Sequence, residues 1–338
     1  MRRKSMKKGQ KVILYGMGNF GEKIVRALDE NSKRIPYVIV AYMDKKQKNC
    51  LEHIVIGPEM LFDLAYDYIV VMTEKYFVNI KQELVQKYMV DANKILPWKQ
   101  LAEGENYDCN VCGKSASFFL TSGADSELFS KKKIVGGGER KNAICPFCNS
   151  MDRFRWFQYV LETQTDIYTK QNKILHFAPE AQIEDKLRQK NPEYLSADIA
   201  EGIADVVEDI TNLSFTDQTF DYIIFNHVLE HIRDEKSAMK EVKRCIKPTG
   251  RIILSVPICW EEKTFERDDI VTPQEREKHY GQNDHVRLYG YDFQKRMEEY
   301  GFEVQRCSYH SNEYGEKIRK LSLLENDTIW ILNEKEEG

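Results

Sequence analysis

Between residues 11 and 98, short apolar runs alternate with stretches whose apolar positions recur every three or four residues. KVILY, YVIVAYM and YIVVMT read as buried strands, and EKIVRALDE and FVNIKQELVQKY read as amphipathic helices. Strand and helix in alternation imply a parallel sheet, here of about five strands. The rhythm fades through AEGENYD after Pro97-Trp98, which suits a domain boundary. From 105 to 150 there is little apolar periodicity, so that segment needs a staple in place of a core. MDRFRWFQYVLET (151–163) then reads as a helix, and from 173 the alternation returns. Its strands are KILHFA, EYLSAD, ADVVEDI, FDYIIFN and GRIILSVP, with DEKSAMKEVKRCIK as the clearest helix. Beyond a polar insert, YDFQKRMEEYGFEVQRCSY gives a helix, a glycine stop and a strand, and TIWILN supplies a final strand.

These patterns predict an α/β protein with two Rossmann-like parallel-sheet domains, at 1–100 and 151–338, joined by a small ribbon segment at 105–150. Apolar residues make up 42% and charged residues 31%, an ordinary soluble composition. No apolar run approaches the ~18 residues of a membrane helix. The basic start MRRKSMKKGQK lacks the apolar stretch of a secretory signal, so a cytoplasmic protein is expected. With 50 basic against 54 acidic residues the net charge is −4, not the basic footprint that duplex nucleic acid attracts.

Four of the eight cysteines form two C-x-x-C pairs, Cys109/Cys112 and Cys145/Cys148. Two such knuckles complete a closed tetrathiolate site, which zinc favours. The 32-residue spacer exceeds that of common ribbons. Such a site has no open position, so its expected role is folding or docking. A disulfide or redox pair is the alternative, since CPFC has the form C-P-x-C.

The run FDYIIFNHVLEHIRDEKSAMKEVKRCIKPTGRIILSVP carries a specific resemblance. Residues from about 173 to 310 resemble a class I S-adenosylmethionine-dependent methyltransferase. By that resemblance Asp198, ending EYLSAD, binds the cofactor's ribose. Asp209 and Ile210 contact its adenine, and Asn226 and His227 face the methyl group. One departure concerns the first strand-to-helix turn, where that family usually shows several glycines. Here it is His176-Phe177-Ala178-Pro179-Glu180. Glycines let backbone approach a pyrophosphate at a helix N-terminus, but this cofactor has no phosphate. His176, Ala178 and Glu180 are therefore expected at the cofactor, with Glu180 meeting its ammonium. A site that has lost cofactor binding is the competing reading.

HVLEH (227–231) also fits H-x-x-E-H, in which two histidines one helical turn apart ligate zinc. Its start at the end of a buried strand argues against that, and His231 reads as a core or supporting residue. The insert at 257–290 is long for a connection and follows the fifth strand, where it would lie over the ligand as a lid. GQNDHVRLYG concentrates Asp284, His285, Arg287 and Tyr289 there. His227 and His285 are the candidate bases for an acceptor hydroxyl or carbon, and Arg287 and Tyr289 the candidates to orient it.

In the first domain GMGNFG has the form G-x-G-x-x-G, and Asp44 closes the next strand. Gly16, Gly18, Gly21 and Asp44 thus form a candidate second nucleotide site. The domain resembles small Rossmann-like domains of bacterial sugar-modifying enzymes, including the carboxyl-terminal part of sugar C-methyltransferases. That implies a nucleotide or nucleotide-sugar ligand, or a docking role. The acceptor implied by resemblance is a sugar or nucleotide-sugar of surface-glycan assembly. A nucleic-acid methyltransferase reading through the ribbon, and a non-catalytic scaffold or sensor, are the alternatives. The sequence does not address oligomeric state.

Overall fold

The computed structural model describes residues 6–46, 49–123 and 127–335. The first five residues of the basic start lie outside that range. The chain divides into two compact units, residues 1–122 with 140–149 and 320–322, and residues 123–139 with 150–319 and 323–338. The expected ribbon at 105–150 is therefore not a separate joining body. Its four cysteines belong to the first unit, and residues 123–139 belong to the second. Among the described residues no helix is long and apolar enough to cross a membrane.

In the first unit the sheet comprises β1 (Lys11–Tyr15), β2 (Val38–Met43), β3 (Val55–Ile56), β4 (Tyr68–Val71) and β5 (Ile95–Pro97). Their order is β3-β2-β1-β4-β5, with every neighbouring pair parallel. Helices α1 (Asn19–Glu30) and α2 (Phe77–Tyr88) connect the strands. Alternate residues of β1 face opposite layers. Val12 and Leu14 pack with Ile24 and Leu28 of α1, and Ile13 and Tyr15 pack with Leu84 of α2. This two-sided burial is why β1 and β4 read as continuous apolar runs. Two hairpins follow: β6 (Glu103–Cys109) pairs with β7 (Lys114–Ala116), and β8 (Leu120–Ser122) with β9 (Arg140–Ile144).

The second unit begins with the short α3 (Glu127–Lys131) and with α4 (Asp152–Gln164). A seven-stranded sheet then builds from β10 (Ile174–Phe177), β11 (Tyr194–Asp198), β12 (Val206–Val207), β13 (Phe220–Asn226) and β14 (Ile246–Ser255), with α5 (Ala181–Lys190) and α6 (Glu235–Cys245) between them. Beyond β14 lie β15 (Ile258–Cys259), β16 (Phe265–Glu266), α7 (Pro273–Tyr280), β17 (Arg287–Gly290), α8 (Phe293–Glu299), β18 (Phe302–Ser308) and β19 (Thr328–Glu334). The order is β12-β11-β10-β13-β14-β19-β18. The first five strands are parallel, while β19 runs antiparallel between β14 and β18. The last strand is thus inserted into the sheet. Strand order reverses between β10 and β13, and ligands of such sheets bind at the carboxyl ends beside that switch.

The polar insert is ordered by its own signals. Thr272 and Glu275 form a reciprocal capping box, Pro273 opens α7, and Gly281 (φ 93°) closes it. Strands β15, β17 and β16 form a small sheet beside it.

Candidate functional site

A cleft of about 550 Å³ opens at the carboxyl ends of β10 to β13, on the switch point. Phe177, Ala178, Asp198, Ile199, Asp209 and His227 are among its walls, which carry the carboxylates Asp198, Glu208, Asp209 and Asp284 but no lysine or arginine. Such a wall attracts a cation and repels a phosphate.

The glycine-free turn adopts the backbone that glycine would supply. Ala178 has φ 45°, in the left-handed region, and its N–H donates to the carbonyl of Ala197 at 2.9 Å. This costs roughly 1–2 kcal/mol for a residue with a Cβ, and alanine is the smallest residue that carries one. His176 and Glu180 hold the turn from beneath instead of entering the cleft. His176 is fully buried, with Nδ1 2.9 Å from the Tyr194 hydroxyl. Its Nε2 lies 3.2 Å from Glu180 Oε2, without hydrogen-bond alignment. Asn226 donates Nδ2 to Glu180 Oε1 (3.1 Å) and accepts from the Ser255 hydroxyl (3.0 Å). Burial opposes ionisation of Glu180, but His176, backbone and Asn226 together hold its carboxyl below the usual range. Glu180, expected at the cofactor's ammonium, and Asn226, expected to face its methyl group, are thus joined by one hydrogen bond.

Asp198 accepts Ala200 N–H on Oδ1 (2.8 Å), and Asp209 uses Oδ1 for the Thr211 N–H and hydroxyl. Each has a second oxygen for the cleft. His227 also has a left-handed backbone, φ 54°, which aims residues 227–231 away from the strand direction. Leu229–His231 is a single 3-10 turn, so His227 and His231 do not share a helical face and the zinc-peptidase arrangement does not form.

The structure does not bring Arg287 and Tyr289 to the cleft. Arg287 is fully buried and donates to the carbonyls of Leu229, Ile232 and Arg233 and to Glu266. Tyr289 is fully buried and donates to Glu235, and burial, then the Glu235 charge, pushes its pKa well up. Both shape the floor under the site. His285 is 3% exposed and packs edge-on to His231, 4.7 Å between ring centres. Of the four residues singled out in the insert, only Asp284 lines the cleft. Glu208 was overlooked in the sequence, although an acidic residue just past a strand end was its available signal.

In the first unit Gly18 caps α1, and a Cβ on Gly21 would sit 2.2 Å from the Gly16 carbonyl oxygen. The glycines thus let helix and turn pack closely. Asp44 spends Oδ2 on the Met17 N–H (2.8 Å) and Oδ1 on the Lys46 N–H (2.9 Å). A cavity of about 390 Å³ in this unit is lined by other residues, including Glu74, Lys99, Lys114 and Phe147.

The four paired cysteines converge. Cys109 and Cys148 sulfurs lie 3.7 Å apart and those of Cys112 and Cys145 3.9 Å, with all four within 4.8 Å and none bonded in a disulfide. Zinc–sulfur bonds of about 2.3 Å at tetrahedral angles require sulfur separations near 3.8 Å. Each knuckle closes with a left-handed residue, Gly113 or Asn149, whose N–H returns to the carbonyl of Cys109 or Cys145.

Parts of the chain match known protein families. Residues 147–306 match the family described as "Methyltransferase domain", and residues 8–96 match "C2185-like, N-terminal". An uncharacterized methyltransferase of Schizosaccharomyces pombe is 26% identical over 122 residues, 34% of this chain and 44% of that protein. The chain thus spans under half the length of this curated relative. A methyltransferase structure from Archaeoglobus fulgidus is 16% identical, covering 56% of this chain and 96% of its own, with TM-score 0.37. The PH0226 protein of Pyrococcus horikoshii is 20% identical, with coverages of 54% and 91% and TM-score 0.35. The chain contains a methyltransferase domain.

Proposed function

We propose that this domain transfers the methyl group of S-adenosylmethionine to a small acceptor, a sugar or nucleotide-sugar, and that the four cysteines hold a structural zinc ion. The observation that carries the reading is the cleft at the switch point, with four carboxylates and no lysine or arginine on its wall. A sulfonium cofactor is a cation bearing a ribose and an adenine, and it has no phosphate to be repelled. In this reading Asp198 receives the ribose hydroxyls and Asp209 with Ile210 flanks the adenine. Ala178 presents the close turn to the amino-acid end.

Methyl transfer is an in-line displacement. The acceptor atom forms its bond to carbon as the carbon–sulfur bond breaks, and sulfur keeps the bonding pair and becomes neutral. The protein's contribution is alignment and exclusion of water. In this reading His227, on the cleft wall with its Nδ1 3.1 Å from Glu230, takes the acceptor's proton. The nucleotide-sugar acceptor rests on the resemblance of the first domain.

Calorimetric titration of zinc-replete protein with S-adenosylmethionine and S-adenosylhomocysteine tests the reading, with Asp198→Ala alongside. Micromolar binding of both, weakened at least tenfold in the variant, is the expected outcome. A folded protein that binds neither would sink it.

A further inference from the structure

A cluster behind the cleft has the form of a metal site. The ligand atoms of Glu230, His231 and His285 lie within 4.8 Å of one another. Glu230 is 1% exposed and His285 3%, yet Glu230 Oε2 and His285 Nδ1 have no hydrogen-bond partner. Two polar atoms left bare in so dry a place destabilise it unless something fills the gap between them.

Two of the three side chains are also gripped on the far side. Glu230 Oε1 faces His227 Nδ1 at 3.1 Å, and His231 Nδ1 faces Asp284 Oδ2 at 3.3 Å. The backbone of Tyr280 lies beside the His285 ring, whose Nδ1 is bare. The Asp284 contact is the support a metal-binding histidine ordinarily has, its outer nitrogen on a carboxylate or a backbone carbonyl and its inner nitrogen aimed at the ion.

We propose that Glu230, His231 and His285 bind a divalent first-row transition ion, with zinc as the leading candidate, through Glu230 Oε2, His231 Nε2 and His285 Nδ1. Two histidines and one carboxylate make a three-ligand set that leaves a coordination position open. His231 and Asp284 line the cleft, so the open position faces it. Ligand atoms around tetrahedral zinc sit about 3.4 Å apart, so the cluster must close on the ion. His231, a third exposed on its short turn, has room to swing inward. Resting on the methyl-transfer reading above, the occupant of the open position is an oxygen donor of the acceptor.

The test is zinc titration of the full-length protein, its thiolate site already filled, by calorimetry and by elemental analysis after dialysis. A second zinc equivalent is expected. Glu230→Gln and His285→Ala should abolish it while retaining the first, and Cys145→Ser should do the reverse. Should the buried variants fail to fold, Asp284→Asn and His231→Ala keep the test decisive, because both positions reach solvent. The first should weaken the second equivalent about tenfold or more and the second should remove it. A single equivalent in the wild type, or a second one unchanged in Asp284→Asn and His231→Ala, overturns the site. The readout needs neither cofactor nor turnover, so its failure would leave the methyltransferase reading to its own experiment.

Discussion

Ala178 donates its backbone N–H to the carbonyl of Ala197 at 2.9 Å, tying the end of β10 to the end of β11 directly beside the cleft. The bond is made with Ala178 at φ 45°, where a Cβ is strained. Ala178→Gly removes that strain, roughly 1–2 kcal/mol, against roughly 0.5–1 kcal/mol for glycine's extra unfolded-state freedom. The variant should be as stable as wild type or about 1 kcal/mol more so, with cofactor affinity within a few-fold. Ala178→Val, β-branched at a positive φ, should be destabilised by at least about 2 kcal/mol. Urea unfolding midpoints decide both.

That turn marks the limit of what the sequence disclosed. The rhythm of apolar runs revealed both parallel sheets because burial on two faces forces continuous apolar strands. The cysteine spacing pointed to the four-cysteine cluster because each C-x-x-C knuckle is a local turn. The left-handed Ala178 was invisible, since alanine carries no signal for that conformation. The insertion of TIWILN between β14 and β18 was equally hidden, because strand order is decided by pairings far apart in sequence. Arg287 and Tyr289 looked like site residues because their polarity is uncommon in a core. Only the structure shows the carbonyls and carboxylates that satisfy them.

Arg287 is the member of that pair with the larger predicted effect. Its guanidinium ties the carbonyls of Leu229, Ile232 and Arg233 to Glu266, and so fixes the turn that carries His231. Arg287→Ala strands these acceptors and leaves Glu266 without its nearest cation. A loss of about 3–5 kcal/mol is expected, because the buried guanidinium also faces the buried Glu235 carboxylate at 3.8 Å. Arg287→Lys should recover little, because a single ammonium cannot reproduce the planar fork. Chemical denaturation of the three proteins, read on the second unit, gives the comparison.

Asp327 supplies a pH signature. It is 7% exposed with Oδ2 unpaired, and burial, reinforced by the nearby Asp152 charge, raises its pKa to about 6. His227 and Arg153 pull the other way without cancelling that effect. A carboxyl whose folded pKa is raised favours the folded state while it is protonated. Its contribution is therefore fully present below the unfolded value near 4 and is lost as pH rises through about 6. Asp327→Asn resembles the protonated acid at every pH. The variant should match wild type near pH 4 and exceed it by on the order of 2 kcal/mol at pH 8. A constant difference between the two across that range would refute the assignment.

Zinc removal gives the last prediction. Cys109 and Cys145 are buried, and with Tyr107, Ala116 and Phe119 they form a core too small to hold two hairpins together unaided. On the zinc reading proposed above, the ion's binding energy is folding energy for this segment. Cys145→Ala, or prolonged treatment with a strong chelator, should release one zinc per chain and expose the β6–β9 backbone to hydrogen exchange. The second unit has its own large core around Leu175, Ile223, Phe225 and Leu254, and should keep its protection. Hydrogen exchange resolved by peptide separates the outcomes. Equal loss of protection in β10 to β14 would show that the thiolate site supports the methyltransferase domain directly, whereas unchanged protection in β6 to β9 would show that no metal is needed there.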